Sequence, residues 1–341
     1  MRAWVIEKIG PFDGKNLVLR EMPEPFIHED EILIQVLACG VCHTELDELE
    51  GRAQPTFLPI VPGHQIVGKI VALGERVSRF KVGDYVGAGW IWSSCGSCSF
   101  CQRGFENLCP EFKGTGKDVH GGYGEYFKIK EAYAFKLPTY ATYEFLAPLF
   151  CAGSIGYRAL KLTHLTDGEP LGLIGFGASN HLVLQVAKYL YPHSPVYVFA
   201  RNPQERELAL ALGADFAGDI GDPPPTPLQA LIDTTPVWKP PFYMLRYLQP
   251  GGKLIINAIR KEDKDRNFLL ELAYERDLWL EKEIKTVANI TKQDIEEFLK
   301  LAEKMQLRPE IEIYSFEEAT KALKDLKDRK IRGAKVLKVS S

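Results

Sequence analysis

The sequence predicts an α/β protein in two parts, a partly open β-barrel followed by a parallel sheet flanked by helices. Three features of the 341 residues carry this reading. Short strand-like runs separated by glycine and proline fill the chain to about residue 130, strands and helices alternate from about residue 145, and a last strand-like run at residues 334–339 returns to the first part.

In order, residues 3–6, 17–20 and 31–37 read as strands punctuated by Pro23 and Pro25, and residues 31–36 show partial alternation leading into a loop at Cys42. Residues 67–73 and 84–88 continue the β pattern. Helical periodicity follows over 147–161, then a buried-strand run at 171–174, a helix at 182–189, a strand at 196–199 and a helix at 204–212. Proline-rich residues 222–227 form a loop. Strands resume at 231–233 and 253–258, and 292–305 and 317–330 read as amphipathic surface helices.

Composition narrows the function classes. With 45% hydrophobic and 26% charged residues the chain can bury a real core, and a net charge of −3 with interspersed signs gives no nucleic-acid surface. No apolar run is long enough to span a bilayer, and Glu7 acidifies the N-terminus too early for a secretory signal, so a cytoplasmic protein is expected. Seven cysteines in a reducing compartment point to metal or catalysis rather than disulfides.

Two cysteine groups have metal-ligand character. Cys42 opens a run, Cys42-His43-Thr44-Glu45, that packs a thiolate, an imidazole, a hydroxyl and a carboxylate together, and Pro62-Gly63-His64 adds an imidazole on a bend. With Cys151 these give a Cys₂His set, suited to a catalytic Zn²⁺ whose fourth position stays open. Separately, Cys95, Cys98, Cys101 and Cys109 follow a C-x₂-C-x₂-C-x₇-C spacing that can close a structural zinc site. An iron–sulfur run would place three residues before its last cysteine, not seven.

Gly175-Phe176-Gly177-Ala178-Ser179-Asn180 follows a predicted strand and opens a predicted helix, as a dinucleotide fingerprint requires, although Asn180 stands where the third glycine belongs. The next strand ends in Ala200-Arg201. Ala200 cannot bind the ribose diol of NAD, whereas Arg201 can pair with a 2′-phosphate, so the cofactor expected is NAD(P) with a lean to NADP. His181 reads as a surface histidine at a helix start. Trp90, Ile91 and Trp92 suit either a substrate pocket or the core.

With these residues in hand, the sequence resembles the zinc-dependent alcohol dehydrogenases of the medium-chain dehydrogenase/reductase family over essentially its whole length. Gly40 to Glu45, Gly63-His64 with Gly68, the cysteine knot, Leu149 to Gly153, the glycine loop and Ile331-Arg332-Gly333 carry the likeness. It implies a GroES-like catalytic domain over 1–150, with a structural-zinc lobe at 90–112, a Rossmann-type doubly wound domain over 151–287, and a return to the catalytic domain over 288–341. It implies two zincs per chain: a catalytic one on Cys42, His64 and Cys151, and a structural one on the four-cysteine knot. Thr44 matches the hydroxyl that takes the substrate proton, and His43 and Arg332 match positions facing the cofactor pyrophosphate. The resemblance further implies reversible oxidation of small primary or secondary alcohols to aldehydes or ketones, by a homodimer or homotetramer. Relatives usually carry Asp at Glu45, beside the zinc-bound imidazole, Glu at Gln65, and often His at Asp47, the outer end of the proton relay. The last two departures bear on the relay and on pH dependence.

Three other readings stand beside this one. Cys39 and Cys42 form a C-x-x-C compatible with thiol redox chemistry, with Cys39 otherwise a small buried side chain. A zinc-independent quinone or enone reductase of the same superfamily would lack both ligand sets. A non-enzymatic nucleotide sensor would have no use for Thr44.

Overall fold

The computed structural model describes residues 1–330 and 332–340. The chain divides into two compact units, Met1–Ser154 with Asn289–Ser341, and Ile155–Ala288. In the first, β1 (Arg2–Ile6) pairs antiparallel with β2 (Leu17–Glu21). β3 (Glu31–Val41) is the spine of a larger sheet. Its first half alternates, with Ile32, Ile34 and Val36 buried and Leu33 and Gln35 partly exposed. Its second half is buried throughout, because both faces are covered. From it the chain turns into α1 (His43–Leu49) and returns as β4 (Ile66–Leu73), antiparallel to β3.

β5 (Tyr85–Ala88) extends that sheet, and β6 (Ile91–Ser93) and β7 (Lys113–Gly114) flank the cysteine-rich lobe with its one-turn helix α2 (Ser99–Gln102). β8 (Tyr126–Lys130) pairs with the other edge of β3, and β9 (Phe135–Lys136) with β5, before α3 (Tyr143–Leu146).

Helical periodicity over 147–161 predicts one helix, and here the structure differs. A 3₁₀ turn at Ala147–Phe150 ends at Cys151, whose φ of −137° and ψ of −73° are not helical, and α4 (Ala152–Thr163) starts after it. Pro148 has no N–H to bond back to the preceding turn, which separates the 3₁₀ turn from α3, and the non-helical backbone at Cys151 separates it from α4.

The second unit contains a six-stranded all-parallel sheet in the order β12-β11-β10-β13-β14-β15. β10 (Leu171–Ile174) is followed by α5 (Asn180–Leu190), and β11 (Val196–Phe199) by α6 (Pro203–Ala211). β12 (Phe216–Gly218) and β13 (Leu228–Asp233) come next, then α7 (Lys239–Met244), β14 (Leu248–Ile256) and β15 (Glu283–Thr286). β10 and β11 are wholly buried, hence their uninterrupted apolar runs. Chain order reverses between β10 and β13, and ligands of such sheets bind beyond the strand C-termini at that point.

The last segment forms α8 (Lys292–Met305), β16 (Ile311–Ser315), α9 (Ala319–Lys327) and β17 (Ala334–Lys338). β17 lies antiparallel to β3, with Leu337 opposite Cys39 and Val336 opposite Gly40. The C-terminal strand therefore backs the stretch that leads to Cys42. Ile331 lies outside the described residues.

Candidate active site

β3 delivers the chain to Cys42, the N-cap of α1, and Glu45 holds that start in place. One carboxylate oxygen of Glu45 accepts the Cys42 N–H at 2.6 Å, reciprocating across the first turn as a capping box does. The other oxygen lies 2.8 Å from His64 Nδ1, off the axis of the ring N–H, with both side chains fully buried. One carboxylate thus ties the helix start to the imidazole. His64 reaches it because Gly63 has φ +95°, and a Cβ there would sit 2.3 Å from the Tyr123 ring. Trp90 stands edge-on to the His64 ring at 4.8 Å, which assigns that aromatic to the wall of the site.

His64 Nε2 is thereby turned toward Cys151, 3.3 Å from its sulfur, and the donor atoms of Cys42, His64 and Cys151 all lie within 4.8 Å of one another. Two sulfurs and a neutral imidazole, with the second ring nitrogen occupied by a carboxylate, are the donor chemistry of an open zinc site. The hydrogen bond with Cys151 pulls the Cys42 thiol well below its ordinary range despite burial, and the same bond, with burial, pushes Cys151 well up. Burial works to lower His64, but Glu45 and Cys42 more than reverse it.

Around this centre the other sequence-predicted residues take distinct places. The Thr44 hydroxyl lies 3.5 Å from the Cys42 sulfur. His43 is half exposed, with Nε2 3.9 Å from Asp47 Oδ1, while Asp47 is buried and held by Arg52 Nε at 2.5 Å. Gln65 is buried over Gly40, its Oε1 without a hydrogen-bond partner among the described residues. Cys39 is fully buried, and burial pushes its thiol well above the ordinary range, which leaves it a poor partner for thiol exchange. Sequence reasoning missed Glu48. It is fully buried, neither oxygen has a hydrogen-bond partner among the described residues, and burial followed by the charge of Glu45 drives its carboxyl well upward. Burial thus favours the neutral form of Glu48 and works against a further negative charge beside the centre.

The four sulfurs of Cys95, Cys98, Cys101 and Cys109 also lie within 4.8 Å of one another. Backbone N–H groups point at them, Cys98 N to Cys95 Sγ at 3.3 Å and Cys95 N to Cys109 Sγ at 3.4 Å. The Cys98 N–H draws the Cys95 thiol down to about 6, while burial lifts Cys109 to about 11. A closed tetrahedral zinc suits this set.

In the second unit, the glycine loop leaves β10 with Gly175 at φ +77°, where a Cβ would come within 3.0 Å of Thr235 beyond β13. Gly177 and Ala178 complete the turn into α5, a cradle for a pyrophosphate at a helix N-terminus. Asn180 serves the loop in its own way: its buried side-chain amide donates to Gly175 O at 2.8 Å, Ile174 O at 3.1 Å and Thr234 Oγ1 at 3.3 Å. His181 is fully buried rather than on the surface, with Nδ1 3.1 Å from Gly177 O, and burial lowers it to about 4, so it is neutral. An apolar helix face reaching the first turn of α5 explains the difference. Arg201 is exposed just past β11, and Arg206 Nη1 pins that turn by donating to Ala200 O at 2.8 Å and Arg201 O at 3.1 Å. In the first unit, Arg332 is exposed, 3.9 Å from Glu310.

Comparison with known proteins gives consistent likenesses. A family model described as an alcohol dehydrogenase GroES-like domain matches residues 28–139. The chain is 39% identical over 344 residues to a probable alcohol dehydrogenase, AdhA, of Mycobacterium tuberculosis, covering 99% of this chain and 97% of that protein. It is 32% identical over 351 residues to an alcohol dehydrogenase of Geobacillus stearothermophilus, covering 99% of each. The solved structure of a cinnamyl alcohol dehydrogenase from Sorghum bicolor superposes with a TM-score of 0.86 at 25% identity, over 99% of this chain and 97% of that one.

Proposed function

Because the chain belongs to the zinc-type medium-chain alcohol dehydrogenases, enzymes of NAD(P)-dependent alcohol oxidation, we propose that it oxidises small primary or secondary alcohols reversibly at the Cys42–His64–Cys151 centre. The observation that carries this is the convergence of those three donors within 4.8 Å, with Glu45 against the far nitrogen of the imidazole. We assign catalysis to residues 1–150 and 288–341, and cofactor binding to the doubly wound domain at 151–287.

Cys42, His64 and Cys151 would hold a Zn²⁺. When bound, the metal supplies Lewis acidity that lets an otherwise weakly acidic alcohol hydroxyl give up its proton near neutral pH. Glu45 fixes the ring orientation of His64 and favours the proton on Nδ1, leaving Nε2 as the ligand atom. The Thr44 hydroxyl, beside the Cys42 sulfur, accepts the alcohol proton and passes it outward. Half-exposed His43 and buried Asp47 lie along α1 on the way. The ion pair with Arg52 keeps Asp47 from facing solvent, so its part is to bias His43 rather than to release protons itself. A nicotinamide cofactor held at the glycine loop would supply the hydride acceptor, chemistry that belongs to the cofactor.

The four-cysteine set would hold a second, structural zinc, giving two per chain. Gly175, Gly177 and Ala178 would cradle the pyrophosphate, and His43 and Arg332 would face it. The lean to NADP is supported by exposed Arg201 next to Ala200, which offers no carboxylate to a ribose diol. A homodimer or homotetramer is supported by the exposed edge strand β15, a feature that sheets seldom leave uncovered. A cytoplasmic location accords with a cysteine complement of which six of seven fall in two metal-ligand sets rather than in disulfides.

Metal analysis of the purified enzyme tests the centre. Wild type should carry two zincs per chain and oxidise alcohols, while Cys42→Ser should fall to one zinc and lose at least ~10³-fold in kcat/KM with an unchanged fold. Full metal and activity in that variant would refute the assignment. Steady-state kcat/KM with each cofactor tests the lean: a higher value with NADPH supports it, and equal or better values with NADH defeat it.

A further inference from the structure

A buried charge pair stands beyond the C-terminal ends of β13 and β14. Asp233, the last residue of β13, is fully buried, and Lys261, in the loop after β14, keeps only 8% of its side chain exposed. Lys261 Nζ donates to Asp233 Oδ2 at 2.5 Å, to Thr235 O at 2.7 Å and to Val237 O at 2.9 Å, so its protons are all spent on one short segment. The other carboxylate oxygen of Asp233 accepts the Thr235 N–H at 3.0 Å and the Thr235 hydroxyl at 2.7 Å. The Glu262 N–H closes the clasp on Pro236 O at 2.6 Å.

The opposite side of the same segment meets the glycine loop. Thr234 donates to Ile174 O from its N–H at 3.0 Å and from its hydroxyl at 3.2 Å. A Cβ on Gly175 would come within 3.0 Å of Thr235 and 3.1 Å of Thr234 Oγ1. Residues 234–237 are therefore wedged between the glycine loop and Lys261, where chain order reverses between β10 and β13. A doubly wound sheet binds a dinucleotide across that crevice, one mononucleotide on each half of the sheet. The glycine loop and Arg201 belong to the half built on β10 and β11, which takes the adenosine end. Residues 234–237 and 257–262 follow β13 and β14 and border the nicotinamide end.

We propose that Lys261 is a positioning residue for the nicotinamide half of the cofactor: its clasp on Asp233, Thr235 and Val237 holds the loop after β13 in its binding shape before the cofactor arrives. The proposal rests on the reading of the glycine loop as the cofactor site. Stability alone gives weak reason for such a pair, because both charges lose hydration on burial and well-packed apolar groups often do as well. What the ammonium adds is geometry, directed hydrogen bonds that fix backbone carbonyls in one arrangement. Without them the cofactor must order the loop as it binds, at a cost in affinity.

Calorimetric titration of the zinc-replete enzyme with NAD⁺, NADP⁺ and 5′-AMP tests this without turnover. Lys261→Met strands the Asp233 carboxylate and can unfold the second unit, so the paired variant Asp233→Asn with Lys261→Met, which buries no charge, carries the test. It should bind NAD⁺ and NADP⁺ roughly tenfold more weakly than wild type while 5′-AMP, which needs only the adenosine half, stays within about twofold. Its melting temperature should stay close to that of wild type, which separates positioning from stability. Dinucleotide affinity within about twofold of wild type, or equal losses for dinucleotide and 5′-AMP, would overturn the proposal. A wild type that binds neither dinucleotide nor 5′-AMP would refute the cofactor-site reading itself, and the proposal with it.

Discussion

Charge around the Cys42–His64–Cys151 trio is set by three side chains in three different states. Glu45 is the carboxylate in contact with the imidazole, and its two oxygens are spent on the Cys42 N–H and on His64 Nδ1. Glu48 is buried without a hydrogen-bond partner among the described residues, and burial favours its neutral form. Gln65, directly after His64, is an amide at the position where the family resemblance implies a carboxylate. Each of the last two keeps negative charge away from a centre where substrate oxygen must become negative. Gln65→Glu should therefore raise the pKa seen in the pH profile of kcat for alcohol oxidation, by roughly one unit, since a buried like charge disfavours ionisation nearby. A profile that stays put or moves to lower pH would mean that position 65 is electrically isolated from the reacting oxygen. The Oε1 atom of Gln65 has no hydrogen-bond partner among the described residues, which argues against a purely local structural role.

The β10–loop–α5 element depends on two neighbouring residues whose character the sequence hides. Asn180 replaces the third glycine of the fingerprint and uses its amide to satisfy the carbonyl of Gly175, a group that would cost about 1–3 kcal/mol if left buried and unpaired, and to join Thr234 on the carbonyl of Ile174. His181 caps the same turn from inside, against Gly177 O, with its folded-state value at about 4. An unfolded histidine titrates near 6.5, so between these values the unfolded chain binds the extra proton and stability falls as pH falls. The stabilisation is fully present above about 6.5 and its loss amounts to roughly 3 kcal/mol by pH 4, at 1.36 kcal/mol per unit. Urea unfolding between pH 7 and pH 4 should show this acid sensitivity, and His181→Gln should flatten it at some cost in stability at pH 7. A slope identical in wild type and variant would show that His181 is charged or exposed in solution. Glu205, raised to about 7, works in the other direction over its own window, losing stability as pH rises from about 4.5 to 7, and partly masks the effect in wild type.

For the whole molecule, what sequence reveals depends on how local the cause is. The four-cysteine spacing and the glycine loop are short-range patterns, and both sets of atoms fold together where the spacing puts them. The parallel sheet follows from alternating strands and helices, but β12 has only three residues and β15 is exposed throughout, so neither shows the apolar run that marks β10 and β11. The break at Cys151 was illegible because residues on either side share one helical phase. Glu48 and Glu205 were invisible for another reason: a carboxylate on an amphipathic helix reads as a solvated face until tertiary packing buries it.

The two cysteine groups also differ in what they support, and this predicts how the protein loses metal. The lobe around Cys95 to Cys109 has strands of only three and two residues and a helix, α2, with no buried residue, so little apolar burial would hold it once four thiolates were freed. The Cys42 centre instead sits on β3 and α1, amid a large apolar core that does not depend on the three ligand side chains. A three-ligand site also leaves one position open to a competing chelator, whereas four thiolates leave none. Stepwise chelation should therefore remove one zinc per chain first, abolishing alcohol oxidation while the melting temperature falls by only a few degrees, and Zn²⁺ should restore activity. Harsher chelation should release the second zinc with a larger drop, of about 5 °C or more, and local proteolysis within residues 90–112. If both metals left together, or if activity outlived the first, the division into an open reacting centre and a closed scaffold site would be wrong.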